Sequence, residues 1–242
     1  IVDESSTLLS WQGFYLEYFV NELGGNLKNL ILVGDTKQLP PYWPDNENPN
    51  QEKTSFLDLS KKHCKTIQFR HQYRMSNKVM KILNKEYYQE SPLIMSHDRQ
   101  YDDEINWIHS NGVTEEENFK EAILIMRTIE SIQIENSIMI ISPYRAQCEV
   151  LKKMCNIYLP IYNINVMTLD SVQGHEADVV AVSLVKTNPT IFLTKKRTCV
   201  LVSRAKKRLL VFGNRQGCLS CSNSCLRRLA RFSGPTNPII KH

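Results

Sequence analysis

The stretch SIMIISPYRAQCEVLKKMCNIYLPIYNINVMT, from Ser137 to Thr168, sets the architecture. Ser137 to Ser142 is a short, almost wholly apolar run of strand length, too short to cross a bilayer. Arg145 to Met154 has helical spacing, and Ile164 to Thr168 is again strand-like. The same alternation continues on both sides. Residues 29–33 (Asn-Leu-Ile-Leu-Val) form an apolar run ending in Gly34-Asp35, which reads as a buried parallel strand. Phe14 to Leu23 before it is helical and stops at Gly24-Gly25. Ser76 caps a helix running through Lys85, and Thr114 with Glu117 makes a capping box that opens a helix to about Ile132. Strands follow at Val179–Leu184 and Arg208–Gly213. Strands alternating with helices predict an α/β fold with a mostly parallel sheet. Residues 42–53 are polar and contain Pro44 and Pro49, which makes them the best linker candidate.

Composition narrows the class. The 242 residues are 42% hydrophobic and 23% charged, with 9 Gly and 10 Pro, the profile of a globular protein. Seven scattered cysteines suit a reducing compartment, and no apolar run approaches the length of a membrane span. The expectation is therefore an intracellular protein, cytoplasmic or nuclear, without membrane contact. Lys and Arg number 30 against 25 Asp and Glu, a formal net charge of +5. No acid follows Asp178, whereas thirteen Lys and Arg do. That basic quarter reads either as a footprint for polyanions or as a solubilising face.

Several short strings carry candidate chemistry. Ile1-Val2-Asp3-Glu4 delivers two adjacent carboxylates after only two apolar residues, where an average strand has ~5–6. This reads as part of a longer protein, cut in mid-strand. In phosphoryl-transfer sites such a pair holds Mg²⁺ and orients or deprotonates the attacking water. In residues 32–41 (LVGDTKQLPP), Gln38 offers a neutral amide able to sense a terminal phosphate, and Pro40-Pro41 stiffens the exit. Arg74, in Gln72-Tyr73-Arg74-Met75, stands where a short strand gives way to a helix, and Arg204 stands just before the basic strand at 208–213. A planar guanidinium matches phosphate oxygens. Between them, Thr168 to Glu176 (TLDSVQGHE) leaves a strand through a polar loop that is tightest at Gly174. Cys218, Cys221 and Cys225 have partial metal-ligand spacing but no fourth ligand nearby, so they read first as ordinary cysteines. His63, His71 and His97 form no pattern and read as surface or loop residues, and the ring of His175 reads as exposed. Tyr15, Tyr18 and Phe19 lie at helical spacing and read as core.

In this order, VDES (2–5), GDTKQLPP (34–41), QYRM (72–75), SPYRAQ (142–147), TLDSVQGHEADVV (168–180) and VLVSRAKKRLLVFGN (200–214) resemble the second half of superfamily-one helicases. The likeness is to the branch holding the nonsense-mediated-decay helicase and senataxin, and it covers essentially the whole chain. The resemblance implies a P-loop NTPase helicase fold: RecA-like parallel sheets flanked by helices, with the first lobe incomplete. Residues 1–65 would be the C-terminal part of lobe one and 66–242 lobe two.

The resemblance also assigns roles. Asp3, with Glu4 beside it, would serve Mg²⁺, and Glu4 would be the catalytic base. Gln38 would contact the γ-phosphate of ATP, and Arg74 and Arg204 would be arginine fingers. Gly174 and Glu176 would line the nucleotide pocket, with Glu176 near the ribose. Pro40, Ser142, Pro143, Thr168 and Ser171 would meet the backbone of single-stranded RNA or DNA, where small hydroxyls suit sequence-independent phosphate contacts. Lys206 departs from the family, which usually has a second arginine there. No glycine opens a G-x-x-x-x-G-K-[ST] string, so the phosphate-cradling loop would come from an N-terminal segment absent from this chain. The expectation is a monomeric 5′-to-3′ ATP-dependent motor whose C-terminal portion, alone, does not hydrolyse ATP. A truncated, non-catalytic module binding nucleic acid or a partner is the competing reading.

Overall fold

The run at 138–142 forms a strand because every residue in it finds cover: all five are buried, as in sheets packed on both faces. In this computed structural model the described residues are 1–41, 54–96, 104–132, 137–189 and 192–233. The proposed linker at 42–53 and His97 lie outside them. The chain divides into two compact units, Ile1–Phe69 and Arg70–His242.

The first unit opens with a single 3₁₀ turn, Ser5–Thr7, followed by α1 (Ser10–Glu22) and α2 (Phe56–Ser60). Gly24, at φ 75°, ends α1 in the left-handed conformation that glycine tolerates. The amides of Gly24 and Gly25 then donate to Asn21 O (3.1 Å) and Val20 O (2.9 Å), a Schellman closure. Gly13 lets α1 approach α2, since a Cβ there would fall 2.1 Å from the Phe56 ring. Two sequence expectations fail in this unit. Residues 29–33 do not form a strand; the local pairing is an isolated parallel bridge between Val2 and Leu32. Leu30, Ile31 and Val33 stay 39%, 53% and 40% exposed, so the apolar run lacks the cover that a buried strand needs. Tyr15, Tyr18 and Phe19 are likewise exposed rather than core, although their rings pack on one another.

The second unit runs β1 (His71–Gln72), α3 (Asn77–Glu86), β2 (Ile94–Met95), β3 (Glu104–His109), α4 (Phe119–Ser131), β4 (Ile138–Ser142), α5 (Arg145–Tyr158), β5 (Ile164–Thr168), β6 (Ala177–Ser183), α6 (Lys195–Val202), β7 (Ala205–Gly213), α7 (Arg215–Ser220) and α8 (Ser224–Phe232). Among the described residues, five strands form one sheet in the order β3-β7-β6-β4-β5, each neighbouring pair parallel. Ile138, Ile140, Val166, Ala181, Leu210 and Phe212 join Ile125 and Ile129 of α4 and Leu151 of α5 in one apolar cluster. Alternate strand residues such as Met139, Ile141, Val180 and Val182 are also buried, so both faces are covered. Each buried Ile, Leu, Val, Met or Phe side chain among them contributes roughly 1.5–3 kcal/mol by leaving water. The expected α/β fold with a parallel sheet is observed.

The starts of α3 and α4 follow side-chain caps. Ser76 Oγ accepts from Val79 N (3.3 Å), as its position predicts. The cap of α4 is Asn118, which accepts from Glu121 N (3.1 Å), not the Thr114 that the sequence pattern pointed to. The Thr114 amide instead donates to Glu115 (3.1 Å), and the helix begins at Phe119.

Candidate nucleotide and nucleic-acid sites

In the first unit, the Val2–Leu32 bridge places the carboxylate pair beside the Gly34-Asp35 turn. Val2 N donates to Ile31 O (2.8 Å), and Ser5 donates to Val33 O through both its amide (2.9 Å) and its hydroxyl (2.7 Å). Asp3 is exposed, and its Oδ1 accepts from Glu4 N (2.8 Å). Glu4 sits at φ 51°, a left-handed backbone that a non-glycine residue adopts at a cost and that clusters at functional turns. Gly34 makes the close approach possible: a Cβ there would stand 3.0 Å from Ser6 N and 3.1 Å from Ser5 N. Asp35 then organises the following turn, accepting from Lys37 N (2.9 Å) and Gln38 Nε2 (3.1 Å). Gln38 and Pro40 are half-buried. Asp3, Glu4 and Gln38 are thus carried by two turns tied through one backbone bridge.

In the second unit, the expected residues separate to the two edges of the sheet. At the N-terminal edge, where β6 and β7 begin, three motifs meet. The Gln72 side chain clamps the turn bearing Arg74, accepting from Arg74 N (3.1 Å) and Met75 N (2.8 Å) while donating to Met75 O (3.0 Å). The Arg74 guanidinium pairs with Glu176 Oε2, and Lys206 Nζ pairs with Glu176 Oε1 at 2.6 Å. All three side chains are about one-third exposed. The hydrogen bond from Lys206, joined by the bond and charge of Arg74, holds the Glu176 carboxyl below the usual carboxylate range against the opposing effect of partial burial. Gly174, at φ 80°, turns the loop ahead of Glu176, where any side chain would be strained.

Arg204 is placed differently from the expectation. It is 2% exposed, and its guanidinium donates to Val200 O (3.0 Å), His175 O (3.4 Å) and Ser203 Oγ (2.9 Å). Its carbonyl accepts from Ala177 N (3.2 Å). Of the two expected arginine fingers, Arg74 alone presents its head group at the surface; Arg204 ties the loop bearing Glu176 to the start of β7. Other arginines of the basic C-terminal quarter are half-buried and engaged within the fold: Arg215 and Arg227 donate to backbone carbonyls, and Arg228 pairs with Glu86.

At the C-terminal edge, Thr168 and Ser171 bond to each other through their hydroxyls (2.9 Å), and Ser171 also donates to Thr168 O (3.0 Å). Thr168 is half-buried and Ser171 exposed. Ser142 and Pro143, expected beside them, are buried; the Ser142 hydroxyl donates to Ser183 O (3.2 Å). Close packing under the SPYRAQ turn therefore withdraws both from the surface that could face a phosphate. Residues 169–176 run from the end of β5 at this edge to the start of β6 at the other, with Leu169 and Val172 fully buried. One short crossover thus carries Thr168 and Ser171 at one end and Gly174 and Glu176 at the other.

A buried polar network beneath the C-terminal edge was not legible in the sequence. Glu121, with no exposure, accepts from the Ser110 hydroxyl, from Ser183 Oγ (2.6 Å) and from Val185 N (3.0 Å). Gln147 of the SPYRAQ string extends it, donating to Ser183 Oγ (3.0 Å) and accepting from Asn118 N (2.7 Å). Burial pushes the Glu121 carboxyl up despite these donors. Val185 closes the network at φ 65°, a strained backbone for a β-branched residue. The one available signal was Asn118 three residues before Glu121.

His63, His71 and His175 are exposed as expected. Cys218, Cys221 and Cys225 are buried free thiols, and burial pushes Cys218 and Cys225 each up to about 12. Among the described residues, no three His, Cys, Asp or Glu side chains converge as a metal-ligating group. No helix of the described residues is long and apolar enough to cross a membrane.

The family model of the AAA domain matches residues 51–216, more than half of the sequence. The chain belongs to the AAA domain family. This AAA domain chain is 30% identical over 244 residues to the DNA polymerase alpha-associated DNA helicase A of Saccharomyces cerevisiae, which covers 82% of this chain and 36% of that protein. It is 27% identical over 228 residues to the 5′-3′ DNA helicase ZGRF1 of Mus musculus, covering 83% of this chain and 12% of that one. The solved structure of the PRRSV helicase matches with a TM-score of 0.51 at 16% identity, over 90% of this chain and 35% of that chain. That likeness supports the RecA-like character of the parallel sheet. The chain spans about a third or less of the length of these curated relatives. The expected likeness to the C-terminal region of superfamily-one helicases stands at this coarser level.

Proposed function

We propose that this AAA domain chain is the C-terminal portion of an ATP-dependent helicase of the nonsense-mediated-decay helicase and senataxin branch. It couples ATP hydrolysis to 5′-to-3′ movement along single-stranded RNA or DNA as a monomeric motor. Residues 1–65 belong to lobe one and 66–242 to lobe two, and a preceding segment supplies the phosphate-cradling loop. The observation that carries the reading is the division of the second unit's sheet. Arg74, Gly174 and Glu176 gather at its N-terminal edge, and the Thr168–Ser171 hydroxyl pair sits at its C-terminal edge, joined by one crossover.

In this reading Asp3, exposed and carrying hard oxygen donors, fits a Mg²⁺ ion that takes few protein ligands and leaves its other positions to phosphate and water. Bound Mg²⁺ and ATP supply the transferable phosphoryl group and its charge neutralisation. Glu4 takes the proton of the attacking water at its carboxylate, and Gln38 orients that water through its amide. Arg74 stabilises charge on the phosphate oxygens. Thr168, Ser171 and Pro40 contact the nucleic-acid backbone, so binding is insensitive to base sequence.

The test is ATP hydrolysis by the native-length protein, with and without single-stranded RNA or DNA. The expected result is stimulated turnover that falls at least ~100-fold in Glu4→Gln. Tight, salt-sensitive nucleic-acid binding without turnover would overturn the reading in favour of a non-catalytic clamp. The 242-residue chain alone is expected to show no hydrolysis.

A further inference from the structure

Lys206 stands at an irregularity in the sheet. The β6–β7 pairing runs Ala177 opposite Ala205 and then Val179 opposite Arg208, so Lys206 and Lys207 together face the single residue Asp178. This is a bulge in a parallel pair, where bulges are rare, and bulges elsewhere re-aim side chains beside functional sites. Its effect here is to divide two successive lysines between two acids. Lys207 Nζ lies 3.3 Å from Asp178 Oδ1, and Lys206 Nζ lies 2.6 Å from Glu176 Oε1. A regular strand would set one residue, not two, against Asp178.

Each oxygen of Glu176 therefore has its own cation: Oε1 has Lys206 and Oε2 has Arg74. The two cations are not equivalent. Arg74 has a planar fork suited to phosphate, while Lys206 is a compact point charge on a strand. The Arg74 pair is one-third exposed, and pairs so open to water gain little from their attraction, so it can exchange partners. A polyphosphate carries more charge than a carboxylate and would compete with Glu176 for the guanidinium. If Arg74 left, an uncompensated Glu176 would repel the incoming phosphates; Lys206 removes that repulsion and keeps the carboxylate in place.

We propose that Lys206 is a positioning residue of the nucleotide site, anchoring Glu176 by Oε1 so that Oε2 passes from Arg74 to a ribose hydroxyl of the nucleoside triphosphate when Arg74 turns to the phosphates. The inference rests on the helicase reading above and deepens it: Glu176 doubles as the latch that holds Arg74 before nucleotide binds.

The experiment is steady-state hydrolysis by the native-length protein, at saturating single-stranded nucleic acid, of ATP and of its 2′-deoxy and 3′-deoxy analogues. Lys206→Ala is expected to raise KM for ATP about 5–10-fold with a much smaller change in kcat, since it disturbs binding rather than transfer. It also narrows the preference for ATP over the deoxy analogues. Lys206→Arg restores most of both, and Glu176→Gln, which keeps the shape of the side chain, shows the same loss of ribose preference. A fall in kcat with KM unchanged would place Lys206 on the phosphates and overturn the proposal, as would an unaltered ribose preference in Lys206→Ala. Absence of any turnover by the unmutated protein would overturn the helicase reading and this inference with it. Turnover indifferent to Lys206 would overturn the inference alone.

Discussion

Glu121 and Glu176 lie at opposite edges of one sheet and are accommodated in opposite ways. Glu121, beneath the C-terminal edge, has no exposure and receives neutral donors: the hydroxyls of Ser110 and Ser183 and the amide of Val185. Glu176, at the N-terminal edge, is one-third exposed and held between two cations. Burial pushes the first carboxyl up, whereas Lys206 and then Arg74 hold the second down. The difference separates scaffold from working surface. A buried carboxylate with neutral donors fixes the ends of β3, α4 and β6 and cannot exchange partners cheaply. An exposed one between cations costs little to rearrange, which suits a site that must admit a charged ligand.

Removing the Glu121 carboxyl should have the largest effect on stability. Glu121→Ala leaves two buried hydroxyls and an amide without their acceptor, and unfolding in urea should show a loss on the order of 3 kcal/mol or more. Glu121→Gln, which keeps one acceptor oxygen, should lose clearly less. Equal, negligible losses would mean that the network contributes no stability. Arg204→Ala comes next: it removes a buried guanidinium from Val200 O, His175 O and Ser203 Oγ, with an expected cost of about 2–3 kcal/mol. Arg74→Ala, at the surface, should cost under about 1 kcal/mol in the same assay, and a larger cost would place Arg74 in the scaffold.

Smaller still is the acid response of the Glu176 cluster. Its folded carboxyl titrates below the unfolded value, so its contribution is present above pH ~4.5 and is lost as pH falls through the lowered folded value. Wild type should exceed Glu176→Gln in stability by no more than about 1 kcal/mol at neutral pH, and thermal melts should converge as the pH is lowered into that range. Glu121 has the reverse sign: its raised carboxyl favours folding at low pH and loses that contribution as pH rises from the unfolded value through the folded one. A gap between wild type and Glu176→Gln that widens in acid would contradict the assignment of Glu176 as the ion-paired member.

Much of the second unit was legible because its strands are locally complete. Ile164–Thr168 coincides with β5, and the apolar run from Ser137 becomes β4 with its first residue outside the strand. The helix from Arg145 continues one turn past Met154 to Tyr158, ahead of Pro160. The start of α4 was misplaced because Thr114 and Glu117 satisfy a local capping pattern, while the choice of Asn118 depends on tertiary partners: it is held by Gln147, which is 29 residues away. The first unit was less legible. An apolar run at 29–33 and aromatic residues at helical spacing announce burial, but cover comes from neighbours that a local pattern does not specify.

The site was legible as residue types in order, not as geometry. The motifs named Arg74, Glu176 and Arg204, but nothing local distinguishes an arginine at the surface from one buried against Val200 O and His175 O. Nor did the string Ser-Arg-Ala-Lys-Lys disclose the bulge that turns Lys206 toward Glu176. The resemblance of the SPYRAQ segment placed Ser142 against nucleic acid, yet the Glu121 network lies under that turn and draws the hydroxyl inward.

The claim that the two sheet edges have separate duties is tested most directly by titrating labelled single-stranded RNA and DNA with the native-length protein and its Thr168→Ala/Ser171→Ala variant. The variant should show a several-fold weaker Kd for both polymers, independent of base sequence, and affinity should fall steeply with salt in both proteins. An unchanged Kd, accompanied by a raised KM for ATP, would put the hydroxyl pair in the nucleotide site and contradict the division.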